Sequence, residues 1–533
     1  MLKKIWKYIV KIDLALDKQY PIFILLVLVL ALRIPNLAEP YWYGDEGIYL
    51  TIGQSLNKGA VLYKDIIDHK TPIIYFLAQT HTQLNFRLLN ISWMLVTTFF
   101  FYYLTKKLSK SVIAAFIASL LFVLGTTLPA LEGNIPNGEL FVMGFVIVGM
   151  YLSLQSWYGE WFLTGERKSK KWQPLVLSGV FLSLGILTKV PAIFDVAAVF
   201  SLGYFALLRS IPSLSIKDVV TKLKIQLPLV FKSWTSLAIG LAVPIGISIL
   251  YFVALGAGKD YLDFGLMYNF RYAGSWQLPF SHPLLLFLFT LPGKVLLLLL
   301  LVAIISTAKK WLTPTYQFVL LWSGLALVAS SLSNRPYPHY FLQTIPPLAL
   351  LIGIMIDDCV RFVRYKKDIV QTSLQLFLGV LLISSTVTLF KLLGVSFYPT
   401  FTYYIRWMQF AQGKLSPADY NQQFDYLMTD NYKAAKLIRS HENPTMFVWG
   451  TNPMLYALSD KMPTGRFTVS FHIKDFKAYD ETYQDLVADA PQFIVVMNNE
   501  TGAFPEFYAY LHANYIPNAQ FEHFVVWNKL SSK

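Results

Sequence analysis

Cysteine is almost missing from this sequence, with Cys359 the single thiol in 533 residues. That excludes an internal disulfide and argues against a thiolate metal site. Charge is scarce too: 14% of residues are Asp, Glu, Lys or Arg, whereas 55% are hydrophobic and the mean hydropathy is +0.47. Such a balance lies outside the range of ordinary soluble domains and inside that of polytopic membrane proteins. No repeat at a fixed period and no low-complexity tract is present. The N-terminal MLKKIWKYIVKIDLALDKQY lacks the uninterrupted apolar stretch and small-residue cleavage site of a signal peptide, so it reads as a retained basic segment on the cytoplasmic side. A net charge of +14 in such a chain does not point to nucleic acid; it raises the question of which side of a bilayer the basic residues occupy.

What is present is a series of long apolar runs. A helix needs roughly 20 apolar residues to cross about 30 Å of hydrocarbon. That rule places spans near 20–37, 84–105, 111–130, 139–157, 173–189, 191–208, 235–256, 284–307, 314–332, 340–356 and 372–392. The basic connections KKLSK, GERKSKKW, RSIPSLSIKDVVTKLK, AKKW and DDCVRFVRYKK all fall on one side, which is therefore cytoplasmic. After about eleven crossings the chain emerges outside, where its composition turns polar and helical stretches alternate with short runs such as TMFVWG, QFIVVMN and EHFVVWN. The expectation is an α-helical multi-pass membrane protein: residues 1–394 form the bundle, with interfacial helices in the first outer loop, and residues 395–533 form a small extracytoplasmic α/β domain.

The outer loops hold most of the residues capable of chemistry. In DEGIYLTIGQSLNKG, Ile48, Ile52 and Leu56 share one face, predicting a short amphipathic helix in the interface plane that ends at Asn57-Lys58-Gly59. Two accounts fit its start: Asp45 caps the helix while Glu46 is solvated, or the pair performs chemistry. In LYKDIIDHKTPIIYFLAQ a second helix is expected with Thr71 as N-cap and Pro72 at its first position. Lys70, with His69 beside it, then either supplies positive charge for a phosphate or snorkels to lipid headgroups.

Further along, LTKVPA brings Lys189 to an outer helix end, and EGNIPNGELF brings Asn137 and Glu139 to the start of the fourth span. Glu139 also suits a plain complement to a helix N-terminus. SNRPYPHYFLQTIPPLALL sets Arg335, Tyr337, His339 and Tyr340 at the mouth of the tenth span, with Pro346 and Pro347 inside it. Tyr268, Tyr272 and Trp276 are candidates for stacking on a sugar face, or an aromatic belt at the interface. A carboxylate near several cations suits a reaction that deprotonates a hydroxyl and expels a phosphate.

DEGIYLTIGQSLNKG after the first span, LYKDIIDHKTPIIYF, the LTKVP turn and NRPYPHYFLQTIPPLALL together resemble the GT-C superfamily of membrane glycosyltransferases. The nearest subgroup contains bacterial aminoarabinose lipid A transferase and the protein O-mannosyltransferases. The resemblance covers the membrane part; the WWDYG motif of oligosaccharyltransferases is missing, and so is any D-x-D pair, which speaks against a metal-bound nucleotide sugar. It implies a sugar donor carried on a polyprenyl phosphate, an acceptor hydroxyl on a lipid, glycan or protein, and inversion at the anomeric carbon.

By the same resemblance Asp45 is the general base, Glu46 its supporting partner, and Lys70, Lys189 and Tyr340 the contacts of the donor phosphate. Thr71 stands where the family has the first of two prolines. Arg335 and His339 join the phosphate contacts on charge and position alone, and His69, Asn137, Glu139, Tyr268 and Trp276 are further substrate contacts. No metal site is expected and no cofactor is required: one acidic pair without an outer His cluster does not demand a divalent ion, though one could assist. The rival readings are a transporter or flippase of a lipid-linked sugar, against which the missing paired repeats and the end-on placement of charge argue, and a ligase or polymerase of polyprenyl-linked glycans.

Overall fold

The computed structural model describes residues 20–166, 171–210, 216–365 and 368–530. The basic N-terminal segment and parts of the basic connections at 165–172, 209–224 and 357–367 lie outside the described residues.

Each of the eleven expected spans coincides with a helix: Tyr20–Arg33, Gln83–Ser109, Val112–Thr127, Gly138–Leu154, Gln173–Ile186, Ile193–Ser210, Ile216–Ala254, Leu291–Thr307, Pro314–Ser330, Ile345–Tyr365 and Ile369–Leu393. Among the described residues, six helices are long and apolar enough to cross a bilayer unaided. A seventh joins them if Pro283–Phe289 and Leu291–Thr307, bent by 80° at their junction, count as one span. Local chemistry sets many of the starts: the hydroxyls of Thr82, Ser111 and Thr313 accept from the backbone N–H groups of Asn85, Ala114 and Tyr316. Pro346 and Pro347, expected inside the tenth span, instead open it, because the first helical turn has no use for the N–H that proline lacks. Residues 338–344 before them form a 3₁₀ segment.

The bundle has two chemically different ends. At one end Ser111 donates to Asp357 (2.8 Å), Thr315 to the Leu108 carbonyl (2.7 Å) and Lys309 to the Leu208 carbonyl (3.0 Å), so the basic connections meet there. At the other end the loops carrying Asp45, Lys70, Glu132, Lys189 and His339 converge.

Beyond Gly394 the chain folds into helices and one five-stranded sheet of order β2-β1-β3-β5-β4, with β1 Thr445–Trp449, β2 Met462–Pro463, β3 Phe493–Met497, β4 Tyr515–Gln520 and β5 Phe524–Lys529. β1 runs parallel to β2 and β3, whereas β5 is antiparallel to β3 and β4. Strands β1 and β3 are buried runs of Phe, Val, Ile, Met and Trp, as a sheet covered on both faces requires.

The first-loop helix, Gly44–Asn57, matches its expected length but not its expected setting. Glu46 to Ser55 are all buried, so it does not lie in the interface with one wet face. It is wedged between helix Ile73–Leu77 and helix Pro453–Ser459 of the sheet unit, with Thr51 and Gln54 donating to the carbonyls of Pro453 (3.1 Å) and Ala457 (3.2 Å). Two glycines permit this: a Cβ on Gly53 would sit 2.3 Å from the Ala78 carbonyl oxygen, and one on Gly47 would sit 2.9 Å from the Met454 nitrogen. Tertiary packing buries a helix whose polar residues, read alone, belong in water.

Candidate active site

Tyr43, not Asp45, occupies the N-cap position of helix Gly44–Asn57, and no side chain caps it. Asp45 is therefore free of the capping role. Its Oδ2 lies 3.5 Å from Lys70 Nζ and accepts from the Tyr49 hydroxyl at 3.2 Å, and its side chain keeps 28% exposure, open to an incoming molecule. Lys70 is held from below: its carbonyl accepts from Tyr63 (2.7 Å), its N–H donates to the Tyr75 hydroxyl (3.1 Å), and its ammonium also faces Asp68 Oδ2 at 3.3 Å. It is buried and paired, so it does not snorkel. The second helix starts one residue later than expected, with Pro72 as N-cap, and the Thr71 hydroxyl instead donates to the Ile186 carbonyl at 2.9 Å, tying this loop to the end of a span.

Burial acts to raise the pKa of Asp45, but Lys70, backed by His339 and Lys189, outweighs it and holds the carboxyl below its ordinary value. Burial likewise acts to lower Lys70, and Asp45 with Asp68 reverses that, keeping the lysine charged.

Lys70 opens onto a cavity of about 680 Å³. Glu139, Lys189, Tyr272, Trp276 and Tyr340 line its polar part; Phe194, Leu278, Leu286, Phe289 and Leu291 line the rest. Glu139, in the first turn of its helix, pairs with Lys189 and so does more than complement the helix N-terminus. Lys189 Nζ also stands 4.3 Å from the centre of the Tyr340 ring. Leu291 and Phe270 at the apolar margin are 57% and 71% exposed, which opens that side of the cavity laterally.

Other expected contacts lie elsewhere. Glu46 turns away from the opening into a buried cluster: Arg87 Nε and Nη2 grip its two oxygens at 2.8 and 2.7 Å and Gln83 donates at 2.9 Å. It is neither solvated nor placed to touch a substrate, and its geometry is that of a support for the helix carrying Asp45. His339 faces Glu132 (2.6 Å) and the Tyr43 hydroxyl (2.9 Å) beside Asp45, and is not in the cavity lining. Arg335 stacks on Tyr272 and Trp276, 4.2 and 4.9 Å from the ring centres, and receives no cavity wall of its own. The Tyr268 hydroxyl is taken up by Asp475 of the sheet unit at 2.6 Å. Asn137 is buried at its helix start, donating to the Glu132 carbonyl at 3.1 Å. His69 stacks on Tyr272 (4.7 Å) and lines the cavity.

Four participants were not singled out in the sequence: Asp68, Glu132, Arg87 and His472. Asp68 stood inside the Asp-His-Lys triplet of the first loop, where three adjacent ionisable residues were a usable signal. Glu132, Arg87 and His472 carried none, since each is defined by partners between 41 and 404 residues away.

Fold and geometry thus describe a multi-pass membrane protein with paired acidic and basic side chains gathered at one end of its bundle. Residues 67–257, just over a third of the chain, match the family model described as dolichyl-phosphate-mannose-protein mannosyltransferase. That match covers Lys70, Glu139 and Lys189 and bears out the resemblance to GT-C membrane glycosyltransferases drawn from the sequence. No curated protein matches the chain.

Proposed function

We propose that this protein is an inverting glycosyltransferase that moves a sugar from a polyprenyl-phosphate donor to an acceptor hydroxyl on the outer face of the membrane. The observation that carries this reading is the adjacency of the accessible Asp45 carboxylate to Lys70, which lines, with Lys189 and Tyr340, a cavity whose remaining wall is apolar and laterally open. A phosphate headgroup fits the cationic part, and an isoprenoid chain fits the apolar part.

In this mechanism Asp45 takes the proton of the acceptor hydroxyl as its oxygen attacks the anomeric carbon. The bond from that carbon to the phosphate oxygen breaks on the opposite face, and polyprenyl phosphate leaves with the bonding electrons. The leaving group gains negative charge in the transition state, so Lys70 and Lys189, already fixed in a partly desolvated site, stabilise that state more than the bound donor. A flippase has no need of a carboxylate aligned beside the phosphate slot, and the charges here gather at one end rather than at the midplane.

Transfer of radiolabelled sugar from a polyprenyl-phosphate donor by the purified protein tests the proposal. Asp45→Asn is expected to lower turnover by ~10²–10⁴ while donor binding and expression stay near wild type. Unchanged turnover in that variant removes the base, and no transfer at all by wild type with any polyprenyl donor removes the reaction class.

A further inference from the structure

We infer that a hollow between the sheet unit and the start of helix Gln83–Ser109 binds an anionic phospholipid, with the lipid phosphate held by Lys436 and Arg439. The hollow has a volume of about 680 Å³, and Tyr41, Thr82, Tyr432, Lys436, Arg439 and Leu458 are among the residues that line it. It shares no lining residue with the cavity at Lys70, so it is a separate site.

Helix Met428–Arg439 supplies the positive charge. Tyr432, Lys436 and Arg439 stand at i, i+4 and i+7 and share one face, while Asn431, Ala434 and Ile438 are buried on another. Among the described residues neither cation forms an ion pair, and Asp460, two residues beyond Leu458, is held by Lys58 at 2.8 Å. Positive charge in a last turn also complements the helix C-terminus, but that role calls for no hollow and no hydroxyls beside it. Here the Tyr432 hydroxyl accepts from the Tyr41 N–H at 3.4 Å and the Thr82 hydroxyl from the Asn85 N–H at 3.2 Å, which leaves both O–H groups to donate. Two cations and two hydroxyl donors are a fitting set for phosphate oxygens.

The position selects a lipid over a soluble anion. Thr82 caps a helix of 27 residues that is long and apolar enough to cross a bilayer. Leu84, Leu88, Val96 and Phe99 of that helix are all exposed, so an apolar strip descends from the hollow. From Leu84 to Phe99 it runs about 22 Å at the rise of an α-helix, which exceeds the ~15 Å depth of one leaflet's hydrocarbon. One phospholipid satisfies both parts, its phosphate in the hollow and an acyl chain along the strip. Bound there, it braces helix Met428–Arg439 against the leaflet, and that helix packs on Pro453–Ser459, the neighbour of the helix carrying Asp45. Nothing in this arrangement depends on sugar transfer.

The full-length protein in detergent micelles is titrated with phosphatidylglycerol or, separately, phosphatidylcholine, each carrying a diazirine in one acyl chain, and cross-linked peptides are mapped after illumination. Saturable labelling of helix Gln83–Ser109 by phosphatidylglycerol is expected, with clearly weaker labelling by phosphatidylcholine. Each basic side chain near an anionic lipid is worth about fivefold in affinity, so Lys436→Gln with Arg439→Gln should weaken labelling by ~25-fold. Both side chains are exposed, and an unchanged thermal midpoint shows that the double variant is folded. Lys433→Gln, exposed on the same helix but outside the hollow, should leave labelling as in wild type. Equal labelling by the two lipids, or wild-type labelling of the double variant, overturns the inference. So does a loss in Lys433→Gln as large as in Arg439→Gln, which would mark a general effect of net charge. Displacement of the lipid by millimolar inorganic phosphate would make free phosphate the ligand and overturn the lipid assignment.

Discussion

The buried pair of Glu46 and Arg87 offers a direct way to separate a supporting acid from a catalytic one. Arg87 Nη2 stands 2.7 Å from Glu46 Oε2 and Nη1 stands 3.4 Å from Glu39 Oε2, with all three side chains almost fully buried. At an effective dielectric near 20, the closer contact is worth ~6 kcal/mol of direct attraction. Desolvation takes back much of that, and removing one member of such a pair typically costs about 3–5 kcal/mol.

The two ends of the pair are not equivalent. Arg87→Met strands two carboxylates, although Glu39 keeps donors from Trp42 (2.9 Å), Asn134 (2.9 Å) and Tyr403. Glu46→Gln strands nothing outright, because Arg87 retains Glu39 and the Asn36 carbonyl. The expected order of destabilisation is therefore Arg87→Met above Glu46→Gln, with the double variant less destabilised than the sum of the two. Thermal midpoints in one detergent, read by intrinsic fluorescence, give the stability, and turnover per folded molecule gives the function. A Glu46→Gln protein as stable as wild type but as inactive as Asp45→Asn would refute the supporting role and place Glu46 in the chemistry.

The acid limb of the pH–rate profile gives a second test. Asp45 must be ionised to accept a proton, and Lys70 holds its carboxyl below the ordinary carboxylate range against the opposing effect of burial. The activity it supports is thus present above the ordinary carboxylate range and lost only as pH falls below it; a wild-type acid limb centred above about pH 5 that moves when Asp45 is replaced by Glu would contradict this. Gly53→Ala should destabilise the protein by about 1–3 kcal/mol, since its new methyl group meets the backbone of Ala78, whereas Gly44→Ala, with nothing within 4 Å, should not. Equal thermal midpoints for those two variants would show that helix Gly44–Asn57 is not wedged as described.

The eleven apolar runs were legible because twenty consecutive apolar residues have few other uses, and each run became a helix. Asp45, Lys70, Lys189 and Tyr340 were legible because charge and phenol at a helix end next to lipid stand out from their surroundings. The setting of the first-loop helix was not, since its burial depends on Gly47 and Gly53 meeting backbone 25 to 407 residues away, and local periodicity carries no trace of that. Asp45 and Glu46 are neighbours in the chain, yet consecutive residues on a helix point about 100° apart. The sequence by itself therefore settled that a carboxylate pair and several cations lie at one end of a membrane bundle. Only the tertiary structure decided that Asp45 faces Lys70 beside the cavity while Glu46 faces Arg87 in the interior, and that His472 of the sheet unit completes a cluster begun by Asp68 and His69. Pairings of that kind are set by which helix faces and loops the folded chain brings within a few ångströms, a distance that sequence separation does not record.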